Sequence, residues 1–421
     1  MNNFQTIVLG IFGFFIIAGL LAIATVKARG GEERVELSVW GSAPSAEIED
    51  LREKFFGKND LLGVSYRSVP PEALDQELLE ALAAGRGPDL LLLPAELLLR
   101  FRGKLLPIPY TNYSERQFRD TFIQEGDLFL LPEGIAALPF SLDPLVMYWN
   151  RDFLDEAGIA TPPRYWDEFL PLANNLTLKD ELGNISRSAV ALGEYRNIAF
   201  AKELLSALFL QSGNPIFAPD STGAFRASLG GQGASAVLDF YTEFANPLKP
   251  VYSWNRSLPL STNSFLSSKL AVYFGFGSEY AALRKGNPNL NFDVAVLPRP
   301  RNATVGITYG RLVGVALLRT SRNPAVALQV AYTLASPQAA SRLHAQNGLP
   351  PVERALLANK PTDPFGAVMY DSAARSRGFL DPDPRITSET FKGMVESVTS
   401  GRERSGEALS RANSQLQAAL R

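Results

Sequence analysis

The sequence predicts an α/β protein of two lobes, and three observations predict it. The chain has 421 residues, more than one hydrophobic core usually organises. Strand-like and helix-like segments alternate from Val35 onward, the pattern of a parallel sheet under helices. Between Leu138 and Thr177 an extended Pro-containing stretch (Leu138–Pro144) runs into an apolar strand (Leu145–Trp149), a helix, a Pro-Pro turn and an aromatic helix. That order describes a chain passing from one lobe to another.

Taken in order, Val35–Trp40 alternates as a strand, Gly41-Ser42-Ala43-Pro44 turns, and a helix follows with Ile48, Leu51 and Phe55 on one face. Leu61–Val69 reads as a second strand. Glu72–Ala84 reads as a helix with Leu74, Leu78 and Leu82 inward and Gly85 as its stop, and Pro88–Leu93 as a buried strand. Helices are expected at Trp166–Asn174, Ala199–Gln211 and Ala234–Ala245. Strands return at Leu270–Phe274, Phe292–Leu297 and Leu312–Leu318. Asn323-Pro324 and Ser336-Pro337 each place a capping residue before a proline that starts a helix. Ser405–Leu420 closes the chain as an amphipathic helix with Ala408, Leu409, Ala412, Leu416 and Leu420 on one face.

Composition excludes several functions. Apolar residues make up 46% and charged residues 20%, ordinary for a globular protein. With 41 basic and 43 acidic side chains interspersed, the net charge of −2 provides no field for a phosphate backbone, so nucleic acid is not expected as a partner. The absence of cysteine removes disulfides, thiolate chemistry, sulfur-ligated zinc and lipid attachment through an N-terminal cysteine. The single histidine, His344, lies in a helix-like run with no second imidazole to complete a metal or catalytic pair. No metal site, cofactor site or catalytic residue is expected. Gly230-Gly231-Gln232-Gly233 is too short and wrongly placed for a dinucleotide loop.

Residues Ile7–Val26 form an uncharged apolar run of 20 residues, enough for a helix to cross about 30 Å of hydrocarbon. Residues 1–34 are therefore expected to be a membrane anchor and spacer. A cleaved signal peptide is the competing account, with Ala22-Ile23-Ala24 as its cleavage site. Against cleavage, the run exceeds a usual signal core and Met1–Thr6 contains no Lys or Arg. Lys27 and Arg29 follow the span and nothing basic precedes it, which by the positive-inside rule would place the body in the cytoplasm.

Trp149-Asn150-Arg151-Asp152, Ala157-Gly158, Pro162-Pro163 and Tyr165-Trp166-Asp167-Glu168 fall in the order of a Tyr-Asn-Lys-Asp step, a Gly turn, a Pro and a Thr-Trp-Asp-Glu helix start. In this the chain resembles family 1 of the extracellular solute-binding proteins, the carbohydrate-binding partners of ABC importers. Phe265–Pro298, Gly310–Val352 with its Gly348-Leu349-Pro350-Pro351-Val352 run, and Asp381–Leu420 with Ser400-Gly401 before the last helix are similar to further segments of that family. The resemblance covers most of Val35–Arg421. Two departures stand out: Ser268-Lys269 replaces the family's usual Gly-Lys, and Gly275-Phe276-Gly277-Ser278 lacks the Trp often found in that loop.

The resemblance implies a two-lobed, type II periplasmic-binding-protein-like fold with an N-terminal transmembrane helix. Residues 35–138 plus 270–313 would form lobe one, and residues 143–266 plus 318–421 lobe two. Ligand would enter a cleft at the carboxyl ends of the strands. It also implies the function: a membrane-anchored extracytoplasmic solute-binding protein that captures a sugar or other carbohydrate-like solute for an ABC permease, without catalysis. Its partners would be that solute, the permease and, through Ile7–Val26, the lipid bilayer. A surface receptor or adhesion protein on the same scaffold, or a glycan-cleaving enzyme, are the alternatives.

Sugar sites combine aromatic platforms with carboxylates, amides and Arg. Trp40-Gly41-Ser42 ends the first strand; the indole either faces ligand or caps the lobe core. Glu96 follows the buried strand, as a ligand acid or a helix-start acid. Asp143 sits in the passage segment, as a ligand acid or a turn residue before Pro144. Glu194, Tyr195 and Asn197 follow the strand Ala189–Leu192, and Phe276, Ser278 and Glu279 occupy the Gly-rich loop. Tyr309 and Arg311 precede Leu312–Leu318. Phe379 and Asp381 match an aromatic-acid pair of the family or form a surface turn.

Overall fold

A computed structural model of the chain describes residues 34–220, 224–231 and 233–420. The anchor expected over Ile7–Val26 lies outside them; among the described residues no helix is long and apolar enough to cross a membrane. Eight main strands follow one another: β1 (Val35–Gly41), β2 (Leu62–Ser68), β3 (Leu90–Pro94), β4 (Leu138–Asn150), β5 (Ile185–Val190), β6 (Leu270–Phe276), β7 (Phe292–Ala295) and β8 (Thr308–Leu317). The chain divides into two compact units. One takes the described residues up to Leu142 together with Arg311–Lys360, the other Asp143–Gly310 with Pro361–Arg421. The chain therefore passes between units within β4, within β8, and at Lys360–Pro361.

In the first unit β1 pairs in parallel with β2 on one side and β3 on the other, and β3 pairs antiparallel with Val313–Leu317 of β8. Leu90–Leu93 are almost wholly buried, as an interior strand covered on both faces requires. The helix Ser45–Phe56 buries Ile48, Leu51 and Phe56; Phe56 takes the place expected of Phe55, which stays half-buried. The helix Pro71–Ala83 buries Leu74 and Leu78 and stops as expected: Gly85 has φ +67° and the Arg86 amide donates back to Ala81 O at 2.8 Å. That left-handed turn suits glycine because it has no Cβ to clash. Gly314 of β8 must also be glycine, since a Cβ there would lie 2.6 Å from the Phe129 ring and 2.8 Å from Ala137.

The second unit is built on β6, which pairs antiparallel with β4 through Leu145–Trp149 and in parallel with β5. β7 pairs antiparallel with β4 through Met147–Asn150. The expectation that 270–313 belongs to lobe one is thereby corrected up to Gly310: the ladder between β6 and β4, with β7 beside it, holds the returning segment in the second unit. The second lobe expected over 318–421 is corrected likewise, because residues up to Lys360 pack in the first unit. The core gathers Tyr148, Trp166, Phe169, Tyr241, Trp254, Phe265 and Tyr273 with the last helix, Ser405–Ala418, whose Ala408, Leu409, Ala412 and Leu416 are buried as expected. Gln211 ties this core together: it accepts from the Trp166 indole at 2.6 Å and donates to Pro298 O at 2.8 Å and Ile307 O at 2.6 Å.

Candidate functional site

In the first unit the carboxyl ends of the parallel strands carry the predicted Trp40, Gly41 and Ser42. β1 and β2 run in register with Trp40 opposite Arg67, so the two side chains share one face of the sheet. The Arg67 guanidinium lies 4.3 Å from the centre of the Trp40 ring, and its Nη2 donates to Glu77 at 2.5 Å. Around them opens a recess of about 600 Å³ lined by Trp40, Arg67, Glu77, Glu80, Ala81 and Arg86. Trp40 is only 9% exposed, partly because Arg67 covers it. The recess thus offers an aromatic wall, two guanidinium groups and two carboxylates, the donor and acceptor mixture that a hydroxyl-rich molecule needs.

Gly41 packs against β3, since a Cβ there would come within 2.6 Å of Leu92 Cβ. The Ser42 hydroxyl is buried and, among the described residues, meets no hydrogen-bond partner. The following turn is anchored by Tyr66 Oη and Ser68 Oγ, which donate to Ala43 O at 2.9 and 3.1 Å. Burial pushes the Tyr66 hydroxyl up to about 12, so it stays a donor at any ordinary pH. Glu96 sits half-buried in the 3-10 turn Ala95–Leu97 directly after β3.

In the second unit the structure brings Asp143, Phe276, Ser278 and Glu279 together around the Gly-rich loop. Asp143 Oδ1 accepts the Ser278 amide at 3.0 Å. Glu279 accepts the Tyr273 hydroxyl at 2.9 Å and the Phe276 amide at 3.0 Å, while the Tyr148 hydroxyl donates to Phe276 O at 2.7 Å. A Cβ at Gly275 would collide with the buried Tyr273 ring at 2.5 Å, so glycine is needed there, and one at Gly277 would press on Met369 Sδ at 2.4 Å. Burial, with the neighbouring Glu279 and Asp143 charges adding to it, drives the Tyr148 hydroxyl well above its ordinary range. Ser278 is exposed and Asp143 half-buried, whereas Phe276 is fully buried and stacks edge-on against Phe200 at 4.9 Å.

Most of the other predicted residues are held by partners within the fold. Glu194, 6% exposed, pairs with Arg256 at 3.2 Å. The Tyr195 hydroxyl bonds with Ser388 Oγ at 2.8 Å, and burial raises it to about 12. Asn197 donates to Asn255 O and Leu258 O at 2.8 and 2.9 Å and accepts from the Trp254 indole at 3.1 Å. Tyr309 and Phe379 are buried against each other at 6.3 Å, and Asp381, 1% exposed, pairs with Lys202 at 3.5 Å while accepting Thr387 Oγ1 at 2.6 Å. Phe379 and Asp381 are therefore buried, not a surface turn. Arg311 is exposed on β8.

Sequence reasoning missed Arg67, Glu77, Glu80 and Arg86. The alternation of β2 carries a signal for Arg67: it stands on the face of Ser65, opposite to the buried Leu62 and Val64, one residue before the strand ends. It missed Phe200 as well, which holds φ +56° at the start of the helix Ala201–Gln211, a left-handed backbone that only coordinates reveal. A larger hollow of about 790 Å³ along Pro384–Thr399 and the last helix, lined among others by Arg385, Glu389 and Gln415, contains none of the predicted residues. Among the described residues no three His, Cys, Asp or Glu side chains are grouped to hold a metal ion.

The family of bacterial extracellular solute-binding proteins matches residues 41–341. A protein of Brucella abortus (strain 2308) named as a binding protein is 25% identical over 331 residues, covering 75% of each chain. Solved structures share the fold. A cyclo/maltodextrin-binding protein complexed with maltotetraose superposes with a TM-score of 0.74 at 17% identity, covering 93% of this chain and 98% of that one. An ABC substrate-binding protein of Listeria monocytogenes in complex with cycloalternan gives 0.70 at 17% identity over 92% and 99%. A solute-binding protein of Thermotoga lettingae bound with alpha-D-tagatose gives 0.67 at 18% identity over 92% and 100%.

Proposed function

Because the chain belongs to the bacterial extracellular solute-binding protein family, we propose that it captures a carbohydrate-like solute outside the cytoplasm and hands it to an ABC permease, held at the membrane by Ile7–Val26. The observation that carries this reading is the family match over residues 41–341. The Trp40 recess supports the ligand class: an indole face beside Arg67, Glu77, Glu80 and Arg86 presents both an apolar wall and hydrogen-bonding rims. Half-buried Asp143 and exposed Ser278 are the polar candidates of the second unit. The sugar ligands of the structural relatives point the same way. Binding needs no covalent step; a ligand preferred by one conformation shifts the population toward it. Titration calorimetry of the full chain in mild detergent against oligosaccharides, monosaccharides, polyols and glycerol phosphates tests the proposal. Saturable heat with at least one saccharide is expected, and silence across the panel overturns it.

A further inference from the structure

Glu353 follows the Gly-Leu-Pro-Pro-Val run and has no part in the site described above. It is 2% exposed, and among the described residues neither of its carboxylate oxygens meets a hydrogen-bond partner. A buried bare carboxylate is one of the costliest groups a fold can hold. Among the described residues no cation acts on its carboxyl. Tyr113, 4% exposed, is close enough for a charged Glu353 to oppose its ionisation, and its hydroxyl is engaged with Thr121 Oγ1 at 2.9 Å. Glu125, also 2% exposed, comes from the adjoining turn Gln124–Phe129. Arg119 turns away to Glu115 and Asp127, and Arg354 donates instead to Arg119 O at 2.9 Å. Burial accordingly raises the Glu353 carboxyl to about 8, offset only in part by the nearby backbone of Glu353 and Val352.

The segment carrying this carboxyl is a narrow strap. Ile123 donates to Val352 O at 2.9 Å, Phe122 and Glu353 form a single antiparallel bridge, and Glu353 O accepts Leu356 and Leu357 to start the short helix Arg354–Leu357. Within a few residues the chain leaves the first unit at Lys360–Pro361. We propose that the strap Val352–Leu357 is a proton-operated clasp, docked on Phe122–Ile123 while Glu353 is protonated and released as Glu353 gives up its proton.

The sign follows from linkage. A released strap exposes Glu353 to water, where it ionises near 4.5; the docked strap keeps its proton until about 8. Between these values the docked form holds a proton that the released form lacks, so each pH unit multiplies release by up to ten. From pH 5 to pH 7 the opening equilibrium rises about 70-fold, and above 8 it levels off because both forms are ionised.

Hydrogen exchange of the full chain, followed by mass spectrometry at pH 5 and pH 7 and corrected for intrinsic amide rates, reads this directly in peptides covering Phe122–Ile123 and Val352–Leu357. The wild type should open about 70-fold more at pH 7. The fixed-neutral variant Glu353→Gln should open equally at both. Equal opening of the wild type at the two pH values overturns the clasp, and so does a Gln variant that keeps the wild-type rise. If Glu353→Gln does not fold, Glu353→Met provides a second neutral form of similar volume, read by the same two outcomes. Neither result depends on whether a saccharide binds.

Discussion

Ser268 holds φ +53°, a left-handed conformation that brings Cβ against the backbone in any residue but glycine. It is also the position where the family pattern has Gly, so one departure noted in the sequence is a backbone strain in the structure. Ser268→Gly should raise stability by about 1 kcal/mol, the left-handed penalty less the extra chain entropy of glycine, read as a higher urea midpoint. An unchanged or lower midpoint means the turn is not strained. On the proposed reading, Arg67 and the solute compete for one face of the Trp40 ring. An exposed ion pair and a surface cation–π contact each contribute no more than about 1 kcal/mol, so a saccharide can displace the guanidinium. Trp40→Ala should weaken saccharide binding about tenfold, whereas Arg67→Ala should tighten it about threefold by uncovering the ring. Calorimetry separates the two, and weaker binding by Arg67→Ala would make that arginine a ligand contact. Trp40 and Asp143 were legible as site candidates because strand ends and passage segments have local signatures. That Asn197, Phe379 and Asp381 are consumed by distant partners was not legible, since a bond to residues far along the chain leaves no mark on nearby spacing.

Single elements were legible wherever a local rule decides them. The apolar run Leu90–Leu93 is an interior strand, Gly85 ends its helix, and Ser336 accepts the Ala339 amide at 3.3 Å as a cap, although Asn323 makes no such side-chain bond. The helix expected from Trp166 begins as a 3-10 turn and becomes α only at Phe169, which places Pro171 in the first turn where its missing amide does no harm. Pairing between elements obeys no local rule. β6 joins β4 across more than a hundred residues, and the unit boundaries depend on that ladder. The helix Ala201–Gln211 is tied to Pro384–Thr399 through Lys202, Asp381 and Thr387, an ion pair almost fully withdrawn from water. Removing one partner strands the other, so Asp381→Ala should cost about 3 kcal/mol in urea unfolding. A loss below about 1 kcal/mol would mean that hydrophobic packing alone holds the two helices, as small effects of surface-type pairs do.

At the scale of the whole molecule, two sequence features give opposite orientations. Lys27 and Arg29 follow the apolar run Ile7–Val26 with nothing basic before it, which favours a cytoplasmic body. Family membership over residues 41–341 favours an extracytoplasmic one, because a solute-binding protein meets its ligand before transport. The size of the body favours the second. The positive-inside bias is set by short loops, and a domain of nearly four hundred residues after the span translocates largely regardless of the few charges beside it; Glu32 and Glu33 add little either way. Protease added to intact cells, or to spheroplasts where an outer membrane is present, should therefore degrade the body while a cytoplasmic marker survives. Moving the basic pair ahead of the span, by Lys27→Gln and Arg29→Gln with Asn2→Lys and Asn3→Lys, should leave that accessibility unchanged or increase it. Full protection of the wild-type body, lost only after lysis, would place it in the cytoplasm and remove the capture of an external solute along with it.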